Sequence, residues 1–336
     1  MRTRNEEPDA ESVDTVGTAP TVTPPPELRE RAVLVTGGAG FIGSKIAAAL
    51  SPVADVTVYD SFESGDREAV PDGASVVRAD VRDEEALESA VAAADVVFHE
   101  AAVVSVERSI ETPRESHAVN AQATLALLDA ARRHDTRVVI ASSAAIYGQP
   151  ASVPIAEPDP KRPTSPYGLE KLAADRYATL YHDLYGVETV ALRYFNVYGP
   201  GQSGGDYAGV IRVFVEQALS GGPITVHGEG DQTRDFVAVD DVVRANLAAA
   251  TTDRVGRAYN VATGRSISIA ELAEIIREAA GSDADIVYTD PRAGDIERSE
   301  ADVSRAVEEL GFEATVPIEE GIRETVEWYR RQSAGE

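Results

Sequence analysis

Short apolar runs alternate with longer amphipathic segments through the first half of the chain. The runs are rich in valine and other β-branched residues, which is typical of strands buried in a parallel sheet. The segments between them have the length and periodicity of helices. This alternation predicts an α/β fold built on a doubly wound parallel sheet. The predicted strands are residues 31–36, 56–59, 75–78, 95–98 and 137–142, and the predicted helices include residues 41–50, 83–94, 113–134 and 166–185.

Residues 1–30 do not share this alternation. They are rich in proline, threonine and acidic residues, and we expect a disordered extension. No apolar stretch follows the basic start, as a signal peptide would require, and no segment is long and apolar enough to span a bilayer. We therefore expect a cytoplasmic protein with no membrane partner.

The charge and the residue types narrow the function further. A net charge of -26 argues against nucleic acid and anionic membranes as partners, because both are polyanions. Only three lysines occur, whereas arginine supplies nearly every cation, a composition that resembles proteins of salt-loving archaea. An ordinary acidic enzyme is the competing interpretation. There is no cysteine and the five histidines are scattered, so we expect no metal site.

A glycine-rich turn follows the first predicted strand directly. Gly37, Gly40 and Gly43 lie in a Gly-x-x-Gly-x-x-Gly pattern that opens a helix, so backbone N–H groups can face a pyrophosphate. Asp60 ends the second strand, where a carboxylate accepts hydrogen bonds from a ribose 2′-hydroxyl and repels a 2′-phosphate. The pattern predicts NAD rather than NADP. A Walker A loop, which binds nucleoside triphosphates, is excluded. That loop requires Gly-Lys-Ser/Thr, whereas the order here is Gly43-Ser44-Lys45, so the lysine is one position too late.

Tyr167 and Lys171 are four residues apart in a predicted helix. This spacing places the phenol and the ammonium on one face, where the cation lowers the pKa of the tyrosine and prepares it for proton transfer. Taken alone, the pair can equally be two neighbours on a solvated helix.

The order of several motifs gives the chain a specific resemblance. The glycine pattern followed by Tyr-x-x-x-Lys resembles the extended short-chain dehydrogenase/reductases. Further stretches are similar to nucleotide-sugar epimerases, above all UDP-glucose 4-epimerases and their N-acetylhexosamine relatives, over residues 31 to 330. These stretches are residues 99–102 with 105–109, Asn120, residues 142–148, 192–200, 232–236, 239–242, and 292–296 with 301–302.

The resemblance implies a set of site residues. Tyr167, Lys171 and Ser143 would be catalytic, although a serine at a strand end is often only a cap. An NAD site would use the glycine turn with Phe41 and Ile42, and also Asp60, Asp80, Val81, Asn120, Tyr167 and Lys171, although Asn120 can be a tolerated surface residue. The UDP-sugar would contact Ser105, Ser143, Asn196, Arg234, Arg292, Asp295 and Ser299.

The resemblance also implies an architecture and a reaction. Residues 31–193 with 235–262 would form the NAD domain, and residues 194–234 with 263–330 a smaller α/β domain for the nucleotide sugar. Helices 113–134 and 166–185 would form a four-helix homodimer interface. The expected reaction is C4 epimerisation of UDP-glucose and UDP-galactose through a 4-keto sugar.

Several alternatives stay open. Small Ser299 favours acceptance of N-acetylated sugars as well, and Ala144-Ala145 lacks the acids of a dehydratase or decarboxylase. Glu100 departs from the neutral residue usual in the family. The alternatives are a UDP-glucuronate 4-epimerase, another 4-keto reductase or dehydratase on this scaffold, and a non-catalytic NAD-binding regulator.

Overall fold

The computed structural model describes residues 22–202, 209–292 and 296–334. Within these ranges the strands are β1 (Ala32–Thr36), β2 (Asp55–Asp60), β3 (Ser75–Arg78), β4 (Val96–His99), β5 (Arg137–Ser143), β6 (Thr189–Tyr194), β7 (Asn196–Tyr198), β8 (Ile224–His227), β9 (Thr233–Arg234), β10 (Phe236–Ala238), β11 (Arg257–Val261), β12 (Ile267–Ser268) and β13 (Ile286–Thr289). The helices are α1 (Phe41–Leu50), α2 (Glu84–Ala92), α3 (Val106–Glu111), α4 (Pro113–His117), α5 (Ala123–His134), α6 (Pro166–Tyr185), α7 (Val210–Ser220), α8 (Val239–Thr251), α9 (Ile269–Ala279), α10 (Ser304–Leu310) and α11 (Ile318–Ala334).

Seven of these strands form one parallel sheet. Its order is β11-β6-β5-β4-β1-β2-β3, so the strand order reverses between β1 and β4. Ligands of doubly wound sheets bind at the carboxyl ends of the strands beside such a switch point. The predicted Rossmann-type α/β fold is confirmed.

Alternating side chains of β1 enter two different apolar layers. Val33 and Val35 pack with residues of α1 and α8, whereas Leu34 packs with residues of α2, α5 and α6 on the opposite face. Burial on both faces explains why the strand is a continuous apolar run rather than an alternation of polar and apolar residues.

The predicted helix 113–134 is interrupted. The chain forms α4, one turn of π-helix at Ala118–Gln122, and then α5. The π-turn contains Asn120, whose buried side-chain amide bonds to the backbone of Val103 on the neighbouring loop. Single π-turns within α-helices occur frequently at functional sites. Helical periodicity in the sequence does not reveal such a local change.

The chain is ordered before the start that was predicted. Val22 and Leu28 are buried in the core layer that contains Leu50, and the Glu30 N–H donates to the Val53 carbonyl at 2.8 Å. Two isolated apolar side chains are enough to fix this segment, although they create no periodic pattern. Residues 22–30 therefore pack against the Rossmann core, and the remainder of the predicted extension lies outside the described residues.

A third apolar cluster lies around α7, α9, α11 and β8 and includes Phe214, Leu272 and Ile322. Buried Asp235 connects the segments around this cluster. Its carboxylate accepts hydrogen bonds from the Thr263, Gly264 and Ala301 N–H groups at 2.9 to 3.2 Å. Through residues 22–202, 209–292 and 296–334, no helix combines the length and apolarity needed to cross a membrane.

A buried ion pair joins β6 to α6 below the carboxyl end of the sheet. Arg193 donates to both carboxylate oxygens of Asp175 at 2.8 and 2.9 Å, and their side chains are only 4% and 2% exposed. The same guanidinium donates to the Tyr147 hydroxyl, and the Ser142 hydroxyl donates to Asp175. One hydrogen-bond network therefore holds β5, the turn that follows it, α6 and β6 together.

Replacing Arg193 with Met should destabilise the protein strongly. The change leaves the Asp175 charge buried without its cation, a loss of about 3 to 5 kcal/mol in the free energy of unfolding. Chemical denaturation in molar salt measures it. Arg277→Met is the matched control, because Arg277 pairs with Glu274 on an exposed face of α9. Equal losses in the two variants would contradict the importance of the buried pair.

Candidate active site

A cleft of about 1330 Å³ opens at the carboxyl ends of the central strands. Sites for one drug-sized ligand are typically about 300 to 1,000 Å³, so this cleft has room for a dinucleotide and a second ligand. Its walls include the glycine turn, residues of β7 and β9, and the amino-terminal turn of α6.

The glycine turn fits a dinucleotide by its close backbone packing. Gly37 has a φ of +67°, and a Cβ there would lie 2.6 Å from the Ala101 nitrogen. A Cβ on Gly43, in the first turn of α1, would overlap the Gly37 carbonyl oxygen. Only glycine allows the strand, the turn and the helix to approach this closely. The N-terminus of α1 is thereby left open toward an anion. The residues present therefore fit the pyrophosphate of NAD.

Asp60 lies where the sequence predicted it, at the end of β2 and in the wall of the cleft. Its carboxylate accepts hydrogen bonds from the Ala39 and Phe62 N–H groups at 3.0 and 2.8 Å. These bonds fix the carboxylate beside the glycine turn, in position for a ribose. Asp80 and Val81 line the same end of the cleft, and hydrogen bonding to Arg82 lowers the pKa of Asp80.

Tyr167 and Lys171 both face the cleft from the first turns of α6. Ser165 caps the helix by accepting from the Gly168 N–H at 3.1 Å, and Pro166 occupies the first helical position. Lys171 is buried, and its Nζ donates to the Ala141 carbonyl at 2.9 Å. Lys171 is therefore not on a solvated face of α6, and the predicted pair lies in the cleft.

Ser143 ends β5 and reaches the same cleft. Its Oγ accepts from the Ala145 N–H at 3.1 Å, so the serine also caps the short turn Ala144–Ile146. A Cβ on Gly168 would lie 2.8 Å from the Ala145 carbonyl oxygen, so α6 packs directly on this turn. Ser143, Tyr167 and Lys171 are thereby brought together from two elements.

Asn120, predicted as a cofactor contact, is buried behind the wall of the cleft. Asn120 is 2% exposed and does not line the cleft. Its Oδ1 accepts from the Val103 N–H at 2.8 Å, while its Nδ2 donates to the Val103 carbonyl and to Glu170 at 2.9 and 2.8 Å. The side chain uses these hydrogen bonds to hold the loop after β4, which forms part of the wall of the cleft.

Six of the seven predicted substrate residues line the cleft. Asn196 and Arg234 are tied to neighbouring carbonyls, with Asn196 Nδ2 donating to Asp235 and Arg234 donating to Thr233, both at 2.8 Å. Ser105 caps α3 through the Arg108 N–H, which leaves it in the wall. Asp295 lies outside the described residues. The members that line the cleft are Ser105, Ser143, Asn196, Arg234, Arg292 and Ser299.

The structure adds site residues that the motifs did not assign. Tyr194 and Glu100 both line the cleft, and the Tyr194 hydroxyl donates to Glu100 Oε1 at 2.9 Å. Arg108 at the rim donates to Glu63 and Glu115. The sequence offered one signal for this pair. Glu100 replaces the neutral residue usual in the family, and an acid directly after a buried strand needs a partner. Among the described residues, no group of His, Asp and Glu side chains is arranged to hold a metal.

Comparison with known proteins agrees with this geometry. The family model described as "NAD dependent epimerase/dehydratase family" matches residues 33–262. The chain belongs to this family. The family description confirms the predicted NAD cofactor and the resemblance to the extended short-chain dehydrogenase/reductases.

Three relatives illustrate the range of the family. The chain is 38% identical to the UDP-N-acetylglucosamine 4-epimerase of Methanobrevibacter ruminantium, solved with UDP-N-acetylmuramic acid, with a TM-score of 0.87 over 90% of this chain and 99% of that one. It is 39% identical to the UDP-glucose 4-epimerase of Thermus thermophilus in complex with NAD, with a TM-score of 0.82 over 89% and 98%. It is also 37% identical to a dTDP-glucose 4,6-dehydratase of Actinoplanes, over 89% of this chain and 97% of that protein.

Replacing Asp60 with Asn should weaken NAD binding about tenfold and reduce the preference for NAD over NADP. The change removes a charged acceptor for the ribose and the repulsion of a 2′-phosphate, while it keeps the side-chain size. Calorimetric titration of cofactor-stripped protein with each dinucleotide measures both effects. Asp66→Asn removes a charge from a nearby exposed cap and serves as the control. An unchanged NAD/NADP ratio in Asp60→Asn would refute this role.

Proposed function

We propose that this family member is a nucleotide-sugar C4 epimerase that acts on UDP-glucose and UDP-galactose and accepts the corresponding N-acetylhexosamines. The observation that carries the proposal is the convergence of Ser143, Tyr167 and Lys171 on one cleft that also contains the dinucleotide turn. The convergence supports proton transfer beside a bound nicotinamide.

Each of the three side chains has a definite task in this reaction. Tyr167 removes the proton from the sugar 4-hydroxyl and later returns it. The Lys171 ammonium stabilises the phenolate electrostatically, and Ser143 donates to or orients the same sugar oxygen. Bound NAD would supply the acceptor and donor for the C4 hydride, so the reaction would have no net redox change.

Inversion requires that the 4-keto sugar turn over between the two hydride transfers. The sugar must therefore be held loosely and the nucleotide firmly. Arg234 and Arg292 are suited to the diphosphate, since guanidinium groups pair bidentately with its oxygens. Both arginines and Asn196 line the cleft, and these polar anchors support a firmly held nucleotide.

The residues after Ser143 argue against the dehydratase reaction of the Actinoplanes relative. A 4,6-dehydratase needs an additional acid and base near the sugar, and a decarboxylase needs an additional glutamate. In this chain Ala144 and Ala145 line the cleft instead. Neither alanine can transfer a proton, which supports simple inversion at C4.

Ser299 supports a wide substrate range. It is 7% exposed, its N–H donates to the Thr233 carbonyl at 3.1 Å, and it lines the cleft. The backbone bond fixes a small side chain in the wall on the substrate side. A bulky side chain here would occupy the space that an N-acetyl group needs, so serine is consistent with N-acetylated sugars.

The surface chemistry supports a working environment of concentrated salt. With a net charge of -26, the acidic side chains repel one another in dilute buffer. Salt at about 1 M reduces the Debye length to about 3 Å and so screens this repulsion. We therefore place this enzyme in the cytoplasm of a salt-loving cell and expect its assays to need high salt.

One incubation series tests the proposed function. Protein in high salt, with no NAD added, is incubated separately with UDP-glucose, UDP-N-acetylglucosamine, UDP-glucuronate and their C4 epimers, and the products are identified by proton NMR. Inversion of the glucose and N-acetylglucosamine pairs supports the proposal. Inversion of UDP-glucuronate alone would favour the alternative epimerase, absence of any C4 inversion would refute the proposal, and inversion of UDP-glucose alone would refute the argument from Ser299.

Replacing Tyr167 with Phe should lower turnover by at least about 10²-fold while NAD remains bound. The variant loses the hydroxyl group that transfers the proton but keeps the aromatic ring and its contacts with the cofactor. Steady-state rates and the ultraviolet absorbance of NAD released from denatured protein measure the two effects. Tyr177→Phe, ten residues further along α6, is the control for loss of a tyrosine hydroxyl. Retained activity in Tyr167→Phe would mean that another group is the base.

An apolar stripe on α6 supports a homodimer formed through a four-helix interface. Leu169, Leu180 and Leu184 are 60%, 45% and 61% exposed, and their spacing places them on one face of the helix. Partly buried Leu125 lies on α5, which packs beside α6. Two such helix pairs would cover one another's leucines.

The double variant Leu180→Asp/Leu184→Asp should therefore be monomeric, because it places charge on the proposed interface. Light scattering behind size-exclusion chromatography gives the mass, and circular dichroism checks the fold. Val307→Asp is the control, since Val307 is 44% exposed on α10. A monomeric wild-type protein would contradict the dimer proposal.

A further inference from the structure

Glu100 is a partly buried acid that lines the cofactor cleft. It follows β4 directly, and its N–H donates to the Thr36 carbonyl at 3.1 Å, which extends the pairing of β4 with β1. Its side chain lines the cleft rather than the solvent. A buried carboxylate needs a hydrogen-bond donor and a cation nearby, or it loses its charge.

The donor is supplied by a short chain of hydrogen bonds. Asn246 Nδ2 donates to the Tyr194 hydroxyl at 2.8 Å, and this hydroxyl donates to Glu100 Oε1 at 2.9 Å. Asn246 is itself fixed, since its Nδ2 also donates to the Val242 carbonyl one turn earlier on α8. Asn246 and Tyr194 are 0% and 7% exposed, so the donor is held rigidly.

The cation is Lys171. His99 pairs with Ile140 in the register of β4 and β5, so Glu100 lies beside Ala141. Lys171 Nζ donates to the carbonyl of that same Ala141 at 2.9 Å. The register of two parallel strands thus brings Glu100 beside the residue whose carbonyl holds the Lys171 ammonium, and the two charges interact electrostatically.

We propose that Glu100 is a positioning residue whose carboxylate, anchored by Tyr194 and Asn246, keeps the side chain of Lys171 in its ammonium form. The directions of the pKa changes in Glu100 and Lys171 agree with this proposal. Burial lowers the pKa of Lys171, and the Glu100 charge opposes that change. Burial raises the pKa of Glu100, and the Tyr194 hydrogen bond and the Lys171 charge oppose it.

The other groups around Lys171 do not replace Glu100. Glu170 also favours the ammonium, but its carboxylate is engaged by Ser116 and Asn120 at 2.5 and 2.8 Å. His99 is buried between Thr36 and Thr124, and burial lowers its pKa to about 3, so it stays neutral. Glu100 is therefore the carboxylate at the cleft surface that can respond to ligands.

The low number of lysines makes a direct test practical. Protein labelled with ¹³C at lysine Cε gives signals from Lys45, Lys161 and Lys171 only. Lys171→Arg and Lys161→Arg assign two of these signals by their disappearance. Titration of the cofactor-free protein in molar salt then gives the pKa of Lys171 without any need for turnover.

Glu100→Gln should lower the midpoint of the Lys171 titration by about one pH unit, a tenfold change in its protonation constant. Glutamine keeps the size and the acceptor for Tyr194 but removes the charge. The Lys45 midpoint should not move and serves as the internal control. A Lys171 midpoint that is unchanged or higher in Glu100→Gln would overturn the proposal.

Tyr194→Phe provides a second, independent measurement. Loss of the hydroxyl donor raises the pKa of Glu100, so fewer molecules carry the carboxylate charge and the Lys171 midpoint should fall by a smaller amount. An unchanged midpoint would contradict the anchoring role, and a fall larger than in Glu100→Gln would show that charge is not the cause.

The catalytic consequence rests on the proposed epimerase function. If the Lys171 ammonium is needed for inversion at C4, the alkaline limb of the pH–rate profile should move to lower pH in Glu100→Gln, by the same amount as the NMR midpoint. A shifted NMR midpoint with an unshifted limb would overturn this consequence. Absence of turnover in the wild-type protein would overturn the epimerase proposal and leave the NMR result standing.

Discussion

The site depends on the buried ion pair between Arg193 and Asp175. Asp175 lies one turn after Lys171 on α6, and Arg193 is the penultimate residue of β6. A bidentate pair accepts little change in distance or angle, because each charge would otherwise be left buried without a partner. The pair therefore fixes the rotation of α6 about its axis and its height above the sheet, and both decide where Tyr167 and Lys171 point.

The same pair also reaches β5, the strand that ends at Ser143. The Ser142 hydroxyl donates to Asp175, one residue before Ser143, and Tyr147 bridges Arg193 to Asn260 on β11. A shift of α6 would thus strain β5 and the turn after it. Ser143, Tyr167 and Lys171 come from separate elements, yet one polar network links these elements, and side chains held in this way need little reorganisation when a ligand binds.

The sequence predicted the parts of this structure that depend on local patterns. The valine-rich run of β1, the glycine turn and the four-residue spacing of Tyr167 and Lys171 are local features, and the fold they predicted agrees with the structure. The π-turn at Asn120, the packing of Leu28 and the hydrogen bond of Tyr194 to Glu100 depend on contacts between distant segments. Nothing in the sequence near Asn120 shows that Val103 will lie opposite its amide.

The composition gives the buried charges a particular importance. Salt at about 1 M screens exposed charges beyond about 3 Å, so most of the acidic surface has no effect on the cleft under those conditions. Lys171 is buried and Glu100 is partly buried in the cleft, so their interaction is screened less than interactions between exposed charges. Arginine keeps its charge in almost any environment, whereas lysine changes its pKa readily when buried. A site that adjusts a cation through a neighbouring carboxylate therefore requires lysine, even in a chain that uses arginine nearly everywhere else.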